Sequence, residues 1–256
     1  MKSIIQFALR RIPRRYLQRF SHITLRILQV FYLGNKVECP VCERSYRKFL
    51  PYGRLKSREN ALCPNCLSLE RHRLLWLFLK NQTNLFTGEN KMLHIAPELC
   101  FIDRFEAIEG LEYITGDIES PLAKVKMDIH KIPFDDNTFS ISMCNHVLEH
   151  VENDILAMKE IYRVLKPGGW AIIQIPFFTP ILDITYEDDS ITSPVDREKA
   201  FGQNDHVRMY GKDYGRRLEK AGFEVHEDLF IKTLSNDEIT RFALPENEVI
   251  YFVKKV

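Results

Sequence analysis

The fifty residues from Met127 to Pro176 constrain the fold of this chain more than any other part of it. The turn PFDDNTF leads into residues 139–144, where apolar and polar side chains alternate as in a strand. Apolar residues then recur at three- and four-residue spacing from Ile155 to Leu165, which predicts a helix. The sequence LKPGG ends that helix and turns the chain into an almost uniformly apolar run, residues 170–175. A strand buried on both faces has this pattern, so the sequence predicts an α/β protein with a parallel sheet.

Three segments of this stretch, DIHKIPFDDNTF, HVLEHV and LKPGG, together resemble the second half of class I S-adenosylmethionine-dependent methyltransferases of the group often labelled type 11. The resemblance covers residues 90–176 closely and the remainder to the C-terminus loosely. It implies a Rossmann-like sheet with helices on both faces and S-adenosylmethionine as the methyl donor. It also implies that ligands gather at the carboxyl ends of the strands.

The resemblance assigns cofactor contacts to residues that follow the predicted strands. Asp117 would hold both ribose hydroxyls, because a carboxylate can accept two hydrogen bonds from a vicinal diol. Asp128 would accept a hydrogen bond from the adenine amino group, and Ile129 would cover the ring. Ile118, beside Asp117, and Asn145, at the polar elbow after the alternating strand, complete this part of the expected site. A solvated turn carboxylate is the alternative interpretation of Asp128.

The first loop of the predicted domain departs from the family's pattern. Ala96, Glu98 and Cys100 stand where the family carries a glycine-rich turn. Glycine permits a positive φ and a close approach of the backbone to a ligand, so this loop must take another path. With Ala96 beside the cofactor, the carboxylate of Glu98 would meet its α-ammonium group. Because of the departure, a binding protein that kept the fold and lost the cofactor stays open as an alternative.

Two C-x-x-C pairs precede this domain. They are Cys39 with Cys42 and Cys63 with Cys66, and twenty residues separate the inner cysteines. Two such turns can complete a tetrahedral site of four thiolates, so the spacing predicts a structural zinc ribbon. Iron in a rubredoxin-like site is a minor alternative. Disulfides are disfavoured, because no cleavable secretory signal is expected and the other two cysteines lie in the methyltransferase half.

A helix is expected directly after the second pair, over residues 67–79. Its LERHR sequence resembles an arrangement in bacterial methyltransferases that carry an N-terminal zinc ribbon, and the helix is expected to pack on the sheet. His72 lies within it. Since four cysteines already satisfy the metal, a surface or capping role is the favoured interpretation of this histidine.

The first 36 residues form a basic segment with an apolar component. They hold eight Lys or Arg and no Asp or Glu, whereas the other 220 residues hold 28 basic against 35 acidic residues, a net charge of −7. One interpretation is an amphipathic arm whose residues 1–34 lie on an anionic membrane surface, so that a cytoplasmic protein sits at the inner face of the membrane. A nucleic-acid arm and a segment packed on the body are the alternatives.

The segment expected to choose the acceptor follows Pro176. Residues 177–207 form a long insertion, which is typical of a lid or a binding loop. In the HVRMYG sequence that begins at the end of this insertion, His206 is the candidate general base and Arg208 the candidate clamp for an anion or a hydroxyl. Alternatively, both residues hold the lid to the sheet. His146 is the second candidate base, and the adjoining Glu149 and His150 are interpreted as structural, capping the helix or bonding neighbouring loops.

Taken together, these features predict an enzyme with three parts: the arm over residues 1–36, the zinc ribbon over 37–70, and a methyltransferase domain over 71–256. It would transfer a methyl group to an oxygen or nitrogen atom of a small-molecule or glycan acceptor, such as a sugar or a lipid-linked intermediate. Methylation of structured RNA is an alternative, but the acidic body disfavours nucleic acid as a partner. The chain's C-terminal part is expected to close the sheet with an antiparallel hairpin whose connection runs through Pro245.

Overall fold

The computed structural model describes residues 29–53 and 57–256 of the chain. The predicted arm falls mostly on residues 1–28, which lie outside the described residues, so its membrane and nucleic-acid interpretations stay predictions. Gln29–Tyr32, which the prediction gave to the arm, form a single 3-10 turn. Within the two described ranges, no helix combines the length and the apolar character needed to cross a bilayer.

The elements follow one another in an order that alternates strands and helices through the middle of the chain. In chain order they are β1 (Leu33–Cys39), β2 (Arg44–Tyr46), β3 (Leu50–Tyr52), β4 (Arg58–Leu62), α1 (Glu70–Gln82), β5 (Asn90–Ile95), α2 (Leu99–Glu106), β6 (Leu111–Asp117), β7 (Val125–Lys126), β8 (Phe139–Asn145), α3 (Asp154–Val164), β9 (Leu165–Gln174), β10 (Tyr186–Glu187), α4 (Pro194–Phe201), β11 (Arg208–Met209), α5 (Tyr214–Lys220), β12 (Glu224–Asp228), α6 (Asn236–Phe242) and β13 (Ile250–Lys254).

The chain divides into two compact units, and their boundaries differ from the predicted ones. The first unit contains the described residues up to Gln82, together with residues 99–104 and 231–248. The second unit contains residues 83–98, 105–230 and 249–256. The sequence predicts one methyltransferase domain over residues 71–256, whereas the rest of α1 after Glu70 and the segment around α6, which lie in that range, belong to the first unit.

The second unit is built on a seven-stranded sheet of order β12-β13-β9-β8-β5-β6-β7. Strands β5 to β9 pair in parallel, which confirms the parallel sheet predicted from the buried apolar runs. Strands β12 and β13 form the predicted antiparallel hairpin at one edge. This mixed sheet with its helices is a Rossmann-like α/β fold.

Residues 127–176 contain β8, α3 and β9, and the two strands lie in the middle of that sheet. Asn153, the N-cap of α3, accepts a hydrogen bond from the amide of Leu156. The helix therefore begins after the sequence HVLEHV, which spans residues 146–151. The helix ends at Val164, and β9 starts at the next residue, five residues earlier than predicted. The pairing of β9 with β8 shifts in register across the glycines of LKPGG. Strand β8 is buried along nearly its whole length because neighbours pair with it on both edges.

The first unit consists of two small antiparallel hairpins, α1 and two segments that come from later in the chain. Strands β1 and β2 form one hairpin, and β3 and β4 form the other. Its centre is Arg73 of α1, which is fully buried. The Arg73 guanidinium donates to the carbonyls of Ala61 and Ser68 and to those of Phe242 and Ala243, at 2.6 to 3.0 Å.

The surroundings of Arg73 explain how a buried guanidinium is tolerated. The central carbon of the guanidinium, Cζ, lies 4.3 Å from the centroid of the Phe49 ring, in a cation–π contact. Burial lowers the pKa of Arg73, and the four carbonyl acceptors satisfy its donors in place of water. In the same helix, His72 accepts a hydrogen bond from the amide of Leu69, which agrees with the predicted capping role.

Candidate functional site

The four cysteines of the two C-x-x-C pairs form one cluster in the first unit. The sulfur of Cys39 lies 3.5 Å from that of Cys66, and the sulfur of Cys42 lies 3.7 Å from that of Cys63. Four thiolates bound to zinc at about 2.3 Å would stand roughly 3.8 Å apart, which is close to these separations. All four cysteines are free, so no disulfide takes the place of a metal site. The cluster is compatible with the predicted zinc ribbon.

Both pairs present their thiols from the same kind of turn. The amide of Glu43 donates to the carbonyl of Cys39, and the amide of Leu67 donates to that of Cys63. Glu43 and Leu67 each have a positive φ, of 59° and 63°, which turns the backbone back at the end of each pair. The hydroxyl of Ser68 lies 3.1 Å from the Cys39 sulfur, a contact of the kind that holds metal ligands in place.

The predicted ribose-binding residue ends strand β6 at the edge of a cavity of about 280 Å³. One oxygen of Asp117, Oδ1, accepts hydrogen bonds from the amides of Glu119 and Ser120 at 2.7 and 2.6 Å. This turn fixes the carboxylate, and the other oxygen has no hydrogen-bond partner among the described residues. Ile118 lines the same cavity and is 56% exposed, so it offers an apolar surface to a ring.

The second predicted acid, Asp128, lies in a tight turn at the surface. Its Oδ1 accepts from the backbone amide of His130 at 2.9 Å and lies 2.8 Å from the Nδ1 of the same residue. These two contacts, the backbone one first, lower the pKa of Asp128. The side chain of Ile129 lies within the hydrophobic core, which contradicts the expectation that it covers the adenine ring. Of the predicted apolar contacts, Ile118 is the exposed one.

The loop after β5 makes its turn without glycine. Ala96 adopts a positive φ of 50°, and its amide donates to the carbonyl of Gly116 at the end of the neighbouring strand β6. Since non-glycine residues rarely adopt this conformation, Ala96 reproduces at some cost the turn that glycine makes freely. The backbone therefore follows the left-handed turn in spite of the sequence departure.

Glu98 links the ends of strands β5 and β8. The Oε2 of Glu98 contacts the Nε2 of His94, and the Nδ1 of His94 lies 2.7 Å from the hydroxyl of Tyr113. The Oε1 of Glu98 accepts a hydrogen bond from the side-chain amide of Asn145 at 2.9 Å. Both oxygens thus have partners within the protein, and the predicted contact with the α-ammonium group stays a prediction. The Oδ1 of Asn145 is buried and accepts no hydrogen bond from the described residues.

The two predicted base candidates lie near a buried carboxylate. His146 has a positive φ of 55°, and its Nδ1 lies 3.5 Å from the Oε1 of Glu149. His206 is only 1% exposed and stacks edge-on against His150, with ring centroids 4.8 Å apart. Burial lowers the pKa of His206, and the nearby carboxylate of Glu149 opposes this effect. A lowered pKa favours the neutral imidazole that a general base requires, although this role stays a prediction.

Arg208 has a different role from the predicted clamp. Its side chain is 2% exposed, and its guanidinium donates to the carbonyls of Leu148, Val151 and Glu152. A further bond, at 2.9 Å, goes to the carboxylate of Glu187 in β10. Four of its five N–H donors are thus used inside the protein. This geometry contradicts the clamp and agrees with the alternative interpretation, in which Arg208 secures the insertion.

The insertion is a folded segment. Strands β10 and β11 pair in antiparallel fashion, and helix α4 lies between them in the chain. Next to it, Asp154 accepts hydrogen bonds from Arg217 at 2.6 and 2.8 Å and from the hydroxyl of Tyr210 at 2.9 Å. Burial opposes ionisation of Asp154, but Arg217 and Arg208 outweigh it, so the net effect lowers its pKa. Sequence reasoning missed this network because its members are up to 63 residues apart.

The comparisons with known proteins agree with this fold. Residues 91–173 match a family described as "Methyltransferase domain". An uncharacterized methyltransferase of Schizosaccharomyces pombe is 48% identical over 93 residues, which cover 33% of this chain and 31% of that protein. A sterol 24-C-methyltransferase of Kluyveromyces lactis is 32% identical over 130 residues, covering 49% of this chain and 33% of the relative.

One further relative in sequence and one solved structure are also similar to this chain. A ubiquinone/menaquinone biosynthesis C-methyltransferase of Brucella canis is 30% identical over 132 residues, covering 46% of this chain and 44% of the relative. The chain thus spans less than half the length of these curated relatives. A solved S-adenosylmethionine-dependent methyltransferase from Mesorhizobium loti has a TM-score of 0.51 at 14% identity, covering 71% of this chain and 97% of that one. This likeness shows the fold, and the sequence matches support a methyltransferase.

Proposed function

We propose that this protein transfers a methyl group from S-adenosylmethionine to an oxygen or nitrogen atom of its acceptor. The observation that carries the proposal is the fixed carboxylate of Asp117, which lines a cavity at the carboxyl end of β6 inside a matched methyltransferase domain. Ligands of doubly wound sheets collect at this end of the strands. When bound, S-adenosylmethionine supplies a methyl carbon that is activated by its positively charged sulfur.

The residues around this edge suit the polar groups of that cofactor. Asp117 presents one carboxylate oxygen for the ribose hydroxyls, and Ile118 presents an apolar face beside it. Asn145 offers a buried oxygen without a partner in the described chain, and an ammonium group is a donor that would satisfy it. Asp128 remains our candidate for the adenine amino group. Together these groups provide acceptors for each donor that the cofactor carries.

The loop after β5 argues against a binding protein that has lost its cofactor. A chain released from the need to bind S-adenosylmethionine has no reason to hold Ala96 in a left-handed conformation. Strain of this kind usually persists where function requires the geometry. Ala96 therefore favours a cofactor loop that has changed its sequence while keeping its path.

For the acceptor, we propose a hydroxyl or amine on a sugar or a lipid-linked intermediate. The sterol and quinone methyltransferases among the relatives are named for lipid-type acceptors, which supports the lipid character of the acceptor. Both names give carbon as the methylated atom, so our choice of oxygen or nitrogen rests on the candidate bases of this chain and not on these relatives. The acidic balance outside the first 36 residues disfavours structured RNA. In the same proposal, Cys39, Cys42, Cys63 and Cys66 hold a structural zinc ion that stabilises the first unit.

Calorimetric titration of the purified full chain with S-adenosylmethionine, and separately with S-adenosylhomocysteine, tests the proposal directly. We expect saturable binding of one molecule per chain by either compound. The absence of heat at millimolar ligand would refute the enzyme and leave the protein as a binding module. Adenosine alone serves as a control, because it engages Asp117 and Asp128 without the amino-acid end of the cofactor.

A further inference from the structure

Three side chains of the second unit converge in a way that methyl transfer alone does not require. Glu149, His150 and His206 each direct one potential ligand atom into the same space, and these atoms lie within 4.8 Å of one another. Glu149 and His150 are adjacent in the chain, whereas His206 comes from the far end of the insertion. Two imidazoles and one carboxylate form a frequent ligand set for divalent transition metals.

Two atoms of this trio are buried without a hydrogen-bond partner among the described residues. They are Oε2 of Glu149 and Nε2 of His206. Both side chains are almost completely removed from solvent, with 2% and 1% exposed. Buried polar atoms in native proteins are nearly always paired, so an unpaired carboxylate oxygen and an unpaired ring nitrogen within one such trio indicate a missing cationic partner.

The backbone sets the orientation of both imidazoles. The Nδ1 of His206 lies 3.2 Å from the carbonyl of Phe201, and the Nδ1 of His150 lies 3.2 Å from the carbonyl of Asp205. Because a carbonyl only accepts, each Nδ1 carries the proton and donates it, and each Nε2 keeps its lone pair. Histidines that bind metals show this arrangement, with one nitrogen on the metal and the other held by an acceptor.

Neighbouring residues hold the turn that carries Glu149 and His150. Arg208 donates to the carbonyls on either side of this pair, at Leu148 and Val151, and the amide of Val207 donates to the carbonyl of Glu149. The same short segment, residues 206–208, therefore supplies one member of the trio and fixes the other two. This construction explains why Arg208 is buried in the insertion instead of exposed to an acceptor.

We propose that Glu149, His150 and His206 bind a divalent transition-metal ion with open positions that take an oxygen atom of the acceptor. This inference rests on the proposed function and narrows its acceptor to an oxygen nucleophile. The acceptor O–H bond breaks and its proton passes to water. The oxygen bonds to the methyl carbon, and the carbon–sulfur bond breaks with its electron pair remaining on sulfur, which leaves S-adenosylhomocysteine. In this scheme, His206 is a metal ligand and not the base.

The test is a titration of the full chain with Co²⁺ after its cysteine cluster has been loaded with zinc. Metal content by mass spectrometry establishes the zinc loading, and visible absorption together with calorimetry follows the cobalt. We expect one further equivalent of cobalt per chain, with ligand-field bands that lack the thiolate charge-transfer absorption of a cysteine site. Glu149→Gln and His150→Gln should weaken cobalt binding at least tenfold, whereas the matched surface variant His226→Gln should leave it unchanged.

Each outcome is decisive. Failure of the zinc-loaded chain to bind one equivalent of cobalt, or equal affinity in wild type and Glu149→Gln, would overturn the metal site. Glu149→Gln preserves the shape of the side chain, and His150 is partly exposed, so the two variants together guard against a loss of folding, which thermal unfolding monitors. Titration with S-adenosylmethionine in metal-free buffer separates the two proposals. Cofactor binding without cobalt binding refutes only the metal site. Cobalt binding without cofactor binding refutes the methyltransferase, and with it the acceptor role of the metal, and leaves only the metal site.

Discussion

Replacing Asp117 with asparagine separates a contact to the cofactor from a role in the local turn. In the wild type, Asp117 lines the cavity, and its Oδ1 accepts from the amides of Glu119 and Ser120. Asparagine keeps an oxygen for the turn but replaces the second carboxylate oxygen with a donor and removes the charge. Asp117→Ala loses the turn as well, so comparison of the two variants distinguishes both effects.

The expected magnitude follows from the hydrogen bonds that are lost. A hydrogen bond to a charged group contributes about 1.5–3 kcal/mol. Asp117→Asn should therefore weaken S-adenosylhomocysteine binding by about 2 kcal/mol, which is roughly a thirtyfold rise in Kd at 25 °C. Asp117→Ala should weaken it by about 2–4 kcal/mol and should also lower the free energy of unfolding by about 1 kcal/mol, because two backbone amides lose their acceptor.

Calorimetry measures the affinity of each variant, and thermal unfolding measures its stability. Asp188→Ala provides a matched control, since Asp188 makes the same kind of turn with the amide and hydroxyl of Ser190 in the insertion. That variant should bind the cofactor normally. A Kd for Asp117→Asn within twofold of the wild type would show that this carboxylate does not contact the ribose, and the assignment of the cavity would fail with it.

Three further predictions address the metal cluster, the buried ion pair and the basic arm. Cys66→Ser should lose the single structural zinc ion, as read by metal analysis, and should unfold the first unit, because metal binding supplies folding energy there; full zinc content would contradict the four-cysteine site. Arg217→Ala leaves Asp154 buried without its main partner and should cost about 3 kcal/mol of unfolding free energy at pH 7. Since the pKa of Asp154 is lowered in the folded state, this difference should shrink as the pH falls below about 4, and a constant difference in denaturation curves would refute the pairing. Deletion of residues 1–34 should abolish sedimentation with anionic vesicles if the arm is interfacial, and unchanged pelleting would end that interpretation.

Local patterns predicted most of the second unit correctly. Short apolar runs and one strongly periodic helix are properties of neighbouring residues, so β8, α3 and β9 could be recognised from the sequence. The thiol cluster was equally accessible, because the spacing within each pair is local and only the pairing of the two turns is not. The start of β9 at Leu165 was missed because glycines in a strand pattern look like a turn.

The division into two units and the burial of Arg73 in the first unit could not be predicted from local sequence patterns. In the sequence, Arg73 cannot be distinguished from an exposed helical arginine. Two of its carbonyl acceptors, those of Phe242 and Ala243, lie 169 and 170 residues further along the chain. The same distance effect concealed the trio of Glu149, His150 and His206, since nothing local brings residue 206 to the turn after β8. Arg208 was assigned to the acceptor because exposure, which decides between a clamp and a structural bond, is a property of the fold.

The position of α6 within the first unit has a consequence for how the protein is made. Ribosomes deliver a chain from its N-terminus, and domains usually fold as soon as they emerge. Here the cysteine turns are synthesised early, but two of the four carbonyls that accept from the Arg73 guanidinium, those of Phe242 and Ala243, are synthesised 169 and 170 residues later. The first unit therefore cannot complete the hydrogen bonds of its buried arginine until most of the second unit has been synthesised, so the unit whose hairpins are made first finishes folding late.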